Sequence, residues 1–291
     1  MKYDHLDPRL ENLADADKET RAAYALADKY LPYSAAENII LEFEWILKQD
    51  PTNRPKCLLV FGEPGMGKSM ILEEARRRTH SAPAEGASRE IPVVMISLGG
   101  SSDLRGLFSR ILRALDSPHT LNERPHALYE QTCLSLKFAN TRILVIDELH
   151  NLLLARSHLG EAMAVLRDFT NLPLSIVCAG IGGARICIAA DEQLKHRFRC
   201  HKLVAWSESQ DTRSIVATLE SRLPLREPSG LASKKILPVL LRLSGGHPQT
   251  LITGIREAAR DALLAGKENI SLTTAKNAIN RMLAEKYESS A

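Results

Sequence analysis

Up to about residue 206 the chain alternates short, uniformly apolar runs with longer amphipathic stretches. Cys57–Phe61, Pro92–Ser97, Ile143–Ile146 and Leu174–Ala179 are short runs dominated by Val, Ile and Leu. Their length and composition predict strands buried on both faces. Between them lie stretches that predict helices: Met70–Arg78, Leu104–Leu115, Ala127–Ala139 and Gly160–Phe169. Ahead of the first strand, Ile39, Ile40, Phe43, Ile46 and Leu47 recur at helical spacing within Ala35–Lys48. Asp50-Pro51-Thr52-Asn53 predicts a turn, and residues 81–90 a loop of small residues. From about Ser207 the pattern is helical only, broken at Leu223-Pro224 and at Gly245-Gly246-His247-Pro248. Strands alternating with helices predict an α/β fold, a parallel sheet sandwiched by helices. The expected division is a helical lead-in over 1–50, a core over 51–206, and a smaller C-terminal helical domain over 207–291.

Composition narrows this only a little. With 291 residues, 44% hydrophobic and 25% charged, the chain can bury a sizeable core and reads as an ordinary globular protein. The net charge of +3 permits an acidic partner such as DNA without arguing for one. Cys57, Cys133, Cys178, Cys187 and Cys200 form no CxxC pair. They read as buried, reduced thiols rather than disulfides or metal ligands. The polar start Met1-Lys2-Tyr3-Asp4-His5 is unlike a signal peptide, and no apolar run reaches the roughly 18 residues of a membrane span. The expectation is a cytoplasmic protein with no membrane partner.

The chemistry enters at Gly62-Glu63-Pro64-Gly65-Met66-Gly67-Lys68-Ser69, a complete GxxxxGK[ST] string. It follows a predicted strand and precedes a predicted helix beginning at Met70, the context a phosphate-binding loop requires. Its backbone N–H groups cradle phosphate oxygens, helped by the positive end of the helix. Lys68 then reaches the β and γ phosphates of ATP, and the Ser69 hydroxyl suits Mg²⁺. Asp147-Glu148 closes the strand Ile143–Ile146, so both carboxylates emerge at the sheet edge where ligands bind. Asp147 is a second candidate for holding Mg²⁺, and Glu148 for polarising the water that attacks the γ-phosphate. Asp147-Glu148-Leu149-His150 also matches the DExH string of helicases. Such helicases need two tandem nucleotide folds, for which 291 residues with a helical tail are too few. They also need an Arg-rich Q-x-x-G-R-x-x-R string, which the sequence lacks. Within Gln193-Leu194-Lys195-His196-Arg197-Phe198-Arg199, Arg197 and Arg199 are alternative candidates for an arginine finger that completes a neighbour's site.

Together the phosphate loop (Walker A), the Asp147-Glu148 pair (Walker B), the Arg-Phe pair after the fourth strand and the helical tail resemble an AAA+ ATPase with a lid. Within that class the chain resembles the TniB family of transposition ATPases. The residues carrying this are Tyr30-Leu31-Pro32-Tyr33-Ser34-Ala35, Ile143 to Leu153, Leu166 to Leu174, and Asp191-Glu192-Gln193-Leu194 with Arg197-Phe198. The resemblance spans about 19 to 250. It implies an ATPase that assembles as a ring or filament on double-stranded DNA and marks a target site for a DDE-type transposase, meeting an accessory target-selection protein. It also implies slow hydrolysis that depends on oligomerisation, and DNA contacts from the segment after the second strand. There Ser101, Ser102 and Arg105 are the candidates, with helix capping by Ser102 or Asp103 as the plainer reading.

The chain departs from the family pattern where the fourth strand ends. Gly180-Ile181 stands where a Gly-Thr pair normally supplies a γ-phosphate-sensing hydroxyl. No Arg appears in the Gly245–Gln249 segment where lids often carry one, the next being Arg256. Two rival functions follow: an AAA+ regulator of secretion or another protein assembly, and a nucleotide switch with little hydrolysis.

Overall fold

The apolar runs pair side by side into one parallel sheet. The computed structural model describes residues 3–50, 55–79, 90–100, 103–120, 122–153 and 159–288. In it β1 (Cys57–Phe61), β2 (Val93–Ser97), β3 (Ile143–Asp147), β4 (Ser175–Gly180) and β5 (Phe198–Lys202) take the spatial order β2-β3-β4-β1-β5. All four pairings are parallel. β1, β3 and β4 are buried at every position, as strands covered on both faces must be.

β5 is a strand that the hydrophobic pattern does not announce. Its sequence, Phe198-Arg199-Cys200-His201-Lys202, buries only Phe198. It pairs with β1 alone, and a strand at a sheet's edge keeps one side in water and tolerates, even favours, charge there. Cys200 on this strand is exposed, unlike the fully buried Cys57 and Cys178, so the expectation of uniformly buried thiols fails there. The other elements fall within a few residues of the expected bounds: α4 (Lys68–Thr79), α5 (Leu104–Ala114), α6 (Pro125–Phe138) and α8 (Leu159–Phe169).

The described residues group into two units. The larger comprises Asn38–Pro64 and Lys68–Leu203 and holds the sheet. Its core joins Leu59, Ile96, Leu144, Ile146, Ile176 and Cys178 of the strands to Leu107, Ile111, Leu166 and Phe169 of the helices.

The smaller unit gathers the described residues of Met1–Glu37, Gly65–Gly67 and Val204–Ala291. Here α2 (Lys18–Leu26) packs with α13 (Pro248–Leu264), which in turn packs with α14 (Leu272–Glu288). Asp17 caps α2 by accepting from the Thr20 N–H at 2.8 Å. The buried side of α2 is Arg21, Ala22 and Ala25, and the two alanines join Leu251, Ile255 and Ala258 in the core. α12 (Leu237–Leu243) and α13 are joined by a turn in which Gly245 and Gly246 both have positive φ, 60° and 71°.

Arg21 is 3% exposed yet fully engaged: it donates to the Pro224 carbonyl at 2.9 Å and pairs with both oxygens of Glu268. Burial by itself raises the Glu268 carboxyl, but hydrogen bonds from Arg21 and the Arg226 backbone, with both guanidinium charges, outweigh it and hold it below its ordinary value. A carboxyl depressed by folding contributes stability above its unfolded value and loses that contribution as pH falls through the folded one. Glu268→Gln should therefore cost about 2–3 kcal/mol at pH 7 by leaving a buried guanidinium without its counter-charge. The gap between variant and parent in denaturant titrations should close below pH 4. A gap that is absent at pH 7, or that persists unchanged in acid, would disprove this role for the pair.

Candidate nucleotide site

The carboxyl ends of four strands stand level. Phe61 of β1 lies opposite Gly180 of β4, and Ser97 of β2 opposite Asp147 of β3. The segments that leave them are tied together: the Gly62 N–H donates to the Gly180 carbonyl (3.3 Å), Leu98 to Asp147 (3.0 Å) and Leu149 to Ala179 (2.9 Å). β1 and β3 are separated by β4 alone, so the phosphate loop and the Asp147-Glu148 pair face one another across about 10 Å, two strand spacings. The connection leaving β1 reaches β2 beyond two intervening strands, which opens the crevice where open α/β sheets bind ligands.

The loop after β1 turns through Gly65 and Gly67, whose φ values of 79° and 82° an L side chain rarely adopts. Glu63 and Pro64 are exposed and Met66 is buried, 2% exposed. α4 starts at Lys68, which puts the Ser69 hydroxyl, exposed, and Met70 in its first turn. Lys68 folds back over the loop: Nζ donates to the Gly62 and Glu63 carbonyls, both at 2.9 Å. Burial lowers the Lys68 amine, against the opposing pull of Asp147, Glu63 and Glu148. Those three carboxylates are the negative field a lysine needs beside it to stay charged before a phosphate arrives.

Asp147 is 5% exposed, and its Oδ1 accepts the Glu148 N–H at 2.7 Å. Glu148 itself has φ +56°, a left-handed backbone that a non-glycine residue adopts only when its surroundings enforce it. That bend swings Glu148 off the strand toward β2, where the Ser97 hydroxyl donates to Oε2 at 3.4 Å. Arg110 of α5 holds the segment below by donating to the Ser97 carbonyl (2.8 Å) and the Gly99 carbonyl (3.2 Å). Asn151 Nδ2 does the same for the Leu98 carbonyl at 2.9 Å. Nothing in the sequence marks Ser97, Arg110 or Asn151 for this role, because each is a common polar residue whose partner is set by the fold. A hydroxyl and a carboxylate at the mouth of a phosphate loop fit Mg²⁺, which keeps several waters and takes its other ligands from the substrate's phosphates.

Ile181 offers only a hydrocarbon side chain at the end of β4 and caps α9 (Gly182–Ala190) without a side-chain hydrogen bond. Arg197 and Arg199 lie away from this edge. β5 runs parallel to β1 with Phe198 opposite Cys57 and Lys202 opposite Phe61. Arg197 therefore sits about 16–20 Å back along the strand from the phosphate loop, too far for its guanidinium to reach its own site. It ends α10 (Glu192–Arg197), which Asp191 caps through Gln193 and Leu194 (3.0 Å each) while accepting from Arg167 at 2.7 Å. Arg197 donates to the Thr170 carbonyl and to Asn171 Oδ1, two neutral oxygens. Arg199 pairs with the Glu42 carboxylate at 3.1 Å, which His201 shares at 2.8 Å. Arg256 is 6% exposed and bonds Asp28 and the Lys29 carbonyl within the smaller unit.

Arg105 is exposed in the first turn of α5, and Asp103 caps that helix by accepting from the Gly106 N–H at 2.8 Å. Ser101 and Ser102 lie outside the described residues.

Strand order, phosphate loop and paired carboxylates define a P-loop fold of the AAA+ class. Solved structures of similar fold include the Aeropyrum pernix ORC1 protein in complex with DNA, at TM-score 0.66 and 16% identity over 89% of this chain and 69% of that one. Another is the Aeropyrum pernix ORC2 protein in ADPNP and ADP complexes, at TM-score 0.64 and 15% identity over 88% and 71%. Drosophila ORC bound to DNA matches at TM-score 0.60 and 17% identity over 93% and 67%. The model of the family described as Bacterial TniB protein matches residues 21–208, well over half of the chain. The chain belongs to the TniB family. A search of curated proteins finds no match. No helix among the described residues is long and apolar enough to cross a membrane.

Proposed function

We propose that this protein is an ATPase of DNA transposition that binds ATP and Mg²⁺ between neighbouring copies and assembles on double-stranded DNA to direct a transposase to its target. The observation that carries this reading is the split of the machinery between two ends of one sheet. Lys68, Ser69, Asp147 and Glu148 converge at the carboxyl ends of the strands, whereas Arg197 lies at the opposite end, held among the described residues by two neutral oxygens. A second copy placing its Arg197 against this crevice would complete the site. ATP at such a junction favours assembly by mass action, and hydrolysis releases it. Mg²⁺ held by Ser69 and Asp147 would neutralise phosphate charge as the γ-phosphoryl group departs. Lys68 leaves the loop carbonyls for the phosphates, and Glu148, held by Ser97, takes the proton of the attacking water.

Membership of the TniB family and the DNA-bound states of the ORC structures support duplex DNA as the partner. Arg105, exposed near the carboxyl end of β2, is the phosphate contact we assign, with Ser101 and Ser102 beside it in sequence. One subunit supplies few such contacts, so affinity should appear only when ATP assembles many. Each neutralised phosphate steepens the dependence of log affinity on log salt by about 0.9. Fluorescence anisotropy with unrelated duplexes should show ATP-dependent, salt-sensitive binding that Arg105→Ala weakens equally on all of them. Tight binding without ATP, or to one sequence alone, would refute it; no DNA binding at all would favour a regulator of a protein assembly. Ile181 favours a second reading, a nucleotide switch that hardly turns over, distinguished by negligible phosphate release even with DNA.

A further inference from the structure

His150 is the residue of the DExH string that the proposed function leaves unused. It opens α7 (His150–Leu153), directly after Leu149, whose N–H is tied to β4 at Ala179. Its Nδ1 is buried and has no hydrogen-bond partner among the described residues, and it is the one such side-chain atom among them. Buried polar atoms in native proteins are overwhelmingly paired, so a lone exception calls for a missing partner.

The surroundings indicate where that partner comes from. A Cβ placed on Gly180, the last residue of β4, would lie 3.8 Å from His150 Nδ1 and 3.7 Å from its backbone nitrogen. It would also stand only 3.0 Å from the Ala184 Cβ, so the bare glycine lets both Ala184 and the imidazole pack close to the strand end. β4 is the strand between the phosphate loop and the Asp147-Glu148 pair. The next residue, Ile181, has no polar atom in its side chain. A polar atom at the end of β4 is thus supplied by the neighbouring segment.

We propose that His150 contacts the terminal phosphate of the bound nucleotide, its Nδ1–H donating to a γ-phosphate oxygen at the end of β4 where Ile181 offers nothing. This rests on the nucleotide-binding reading of the site. It makes His150 the group by which the site tells a triphosphate from a diphosphate, because only the triphosphate extends past the β-phosphate to meet it. An N–H donor aimed at a phosphate oxygen makes a charge-assisted hydrogen bond beside the charge interaction of Lys68.

Isothermal titration calorimetry with ADP and with AMP-PNP, each with Mg²⁺, tests this on the full chain. The parent should prefer AMP-PNP. His150→Phe, which keeps the ring and removes the nitrogen, should reduce that preference about tenfold or more while leaving ADP affinity near the parental value. His150→Asn, which retains a polar atom close to the Nδ1 position, should keep most of the preference. Ile181→Thr added to His150→Phe should recover part of it. An undiminished preference in His150→Phe overturns the proposal, as does equal binding of both nucleotides by the parent. Loss of ADP affinity in His150→Phe and His150→Asn alike also overturns it, showing a role in folding. If the parent binds neither nucleotide, the nucleotide site itself is misread and the proposal falls with it.

Discussion

Glu148→Gln should bind ATP as tightly as the parent and hydrolyse it about 10²–10⁴-fold more slowly, the usual contribution of a positioned general base. The substitution is nearly isosteric, so the left-handed turn at φ +56° and the approach to Ser97 survive. What is lost is the basic oxygen that accepts the water's proton. Binding survives because Lys68, Ser69 and Asp147 are untouched. If ATP favours assembly, the variant should also accumulate as nucleotide-loaded oligomers, visible by mass photometry with ATP and reversed when ATP is replaced by ADP. Single-turnover hydrolysis at the parental rate would show that Glu148 is not the base.

Arg197→Ala should bind ATP normally and lose about 10³-fold or more in turnover, as fingers in characterised nucleotide hydrolases do. The expectation follows from position and from charge. The register of β5 against β1 puts this guanidinium beyond reach of its own phosphate loop. Its hydrogen-bond partners, Thr170 O and Asn171 Oδ1, are neutral, and no ion pair to it is seen among the described residues. Arg199, by contrast, already spends its charge on Glu42, so Arg199→Ala should leave turnover near the parental rate. Mixing Arg197→Ala with Lys68→Ala should restore part of the activity, because some junctions then join an intact phosphate loop to an intact Arg197. Unchanged turnover in Arg197→Ala, or no recovery at any mixing ratio, would remove Arg197 from the reaction; strong loss in Arg199→Ala would transfer the role to it.

The phosphate loop and the Asp147-Glu148 pair were legible because each is contiguous. A chain that must wrap its backbone around phosphates spells glycine, lysine and serine at fixed spacing, and a strand end delivers neighbouring carboxylates without help from elsewhere. The buried strands were legible for a related reason: covering both faces forces apolar residues at every position, as in Ile143–Ile146. β5 obeys no such demand, and its Arg199, Cys200 and Lys202 face solvent. The helical lead-in was visible as helices, but Arg21 pairs with Glu268, 247 residues away in sequence, and no local pattern records such a bond.

What the sequence alone determined was therefore the alternating α/β pattern, the nucleotide loop and its two carboxylates, since periodicity and contiguous motifs are local properties of the chain. Tertiary structure alone set Arg197 and Arg199 in different surroundings, because Glu42, on a helix distant in sequence, forms an ion pair with Arg199 of β5. It alone set His150 Nδ1 beside Gly180, where two strand ends converge from segments about 30 residues apart. Both are facts of strand order and register, and parallel neighbours in a sheet are brought together by crossovers whose destination the local sequence does not encode.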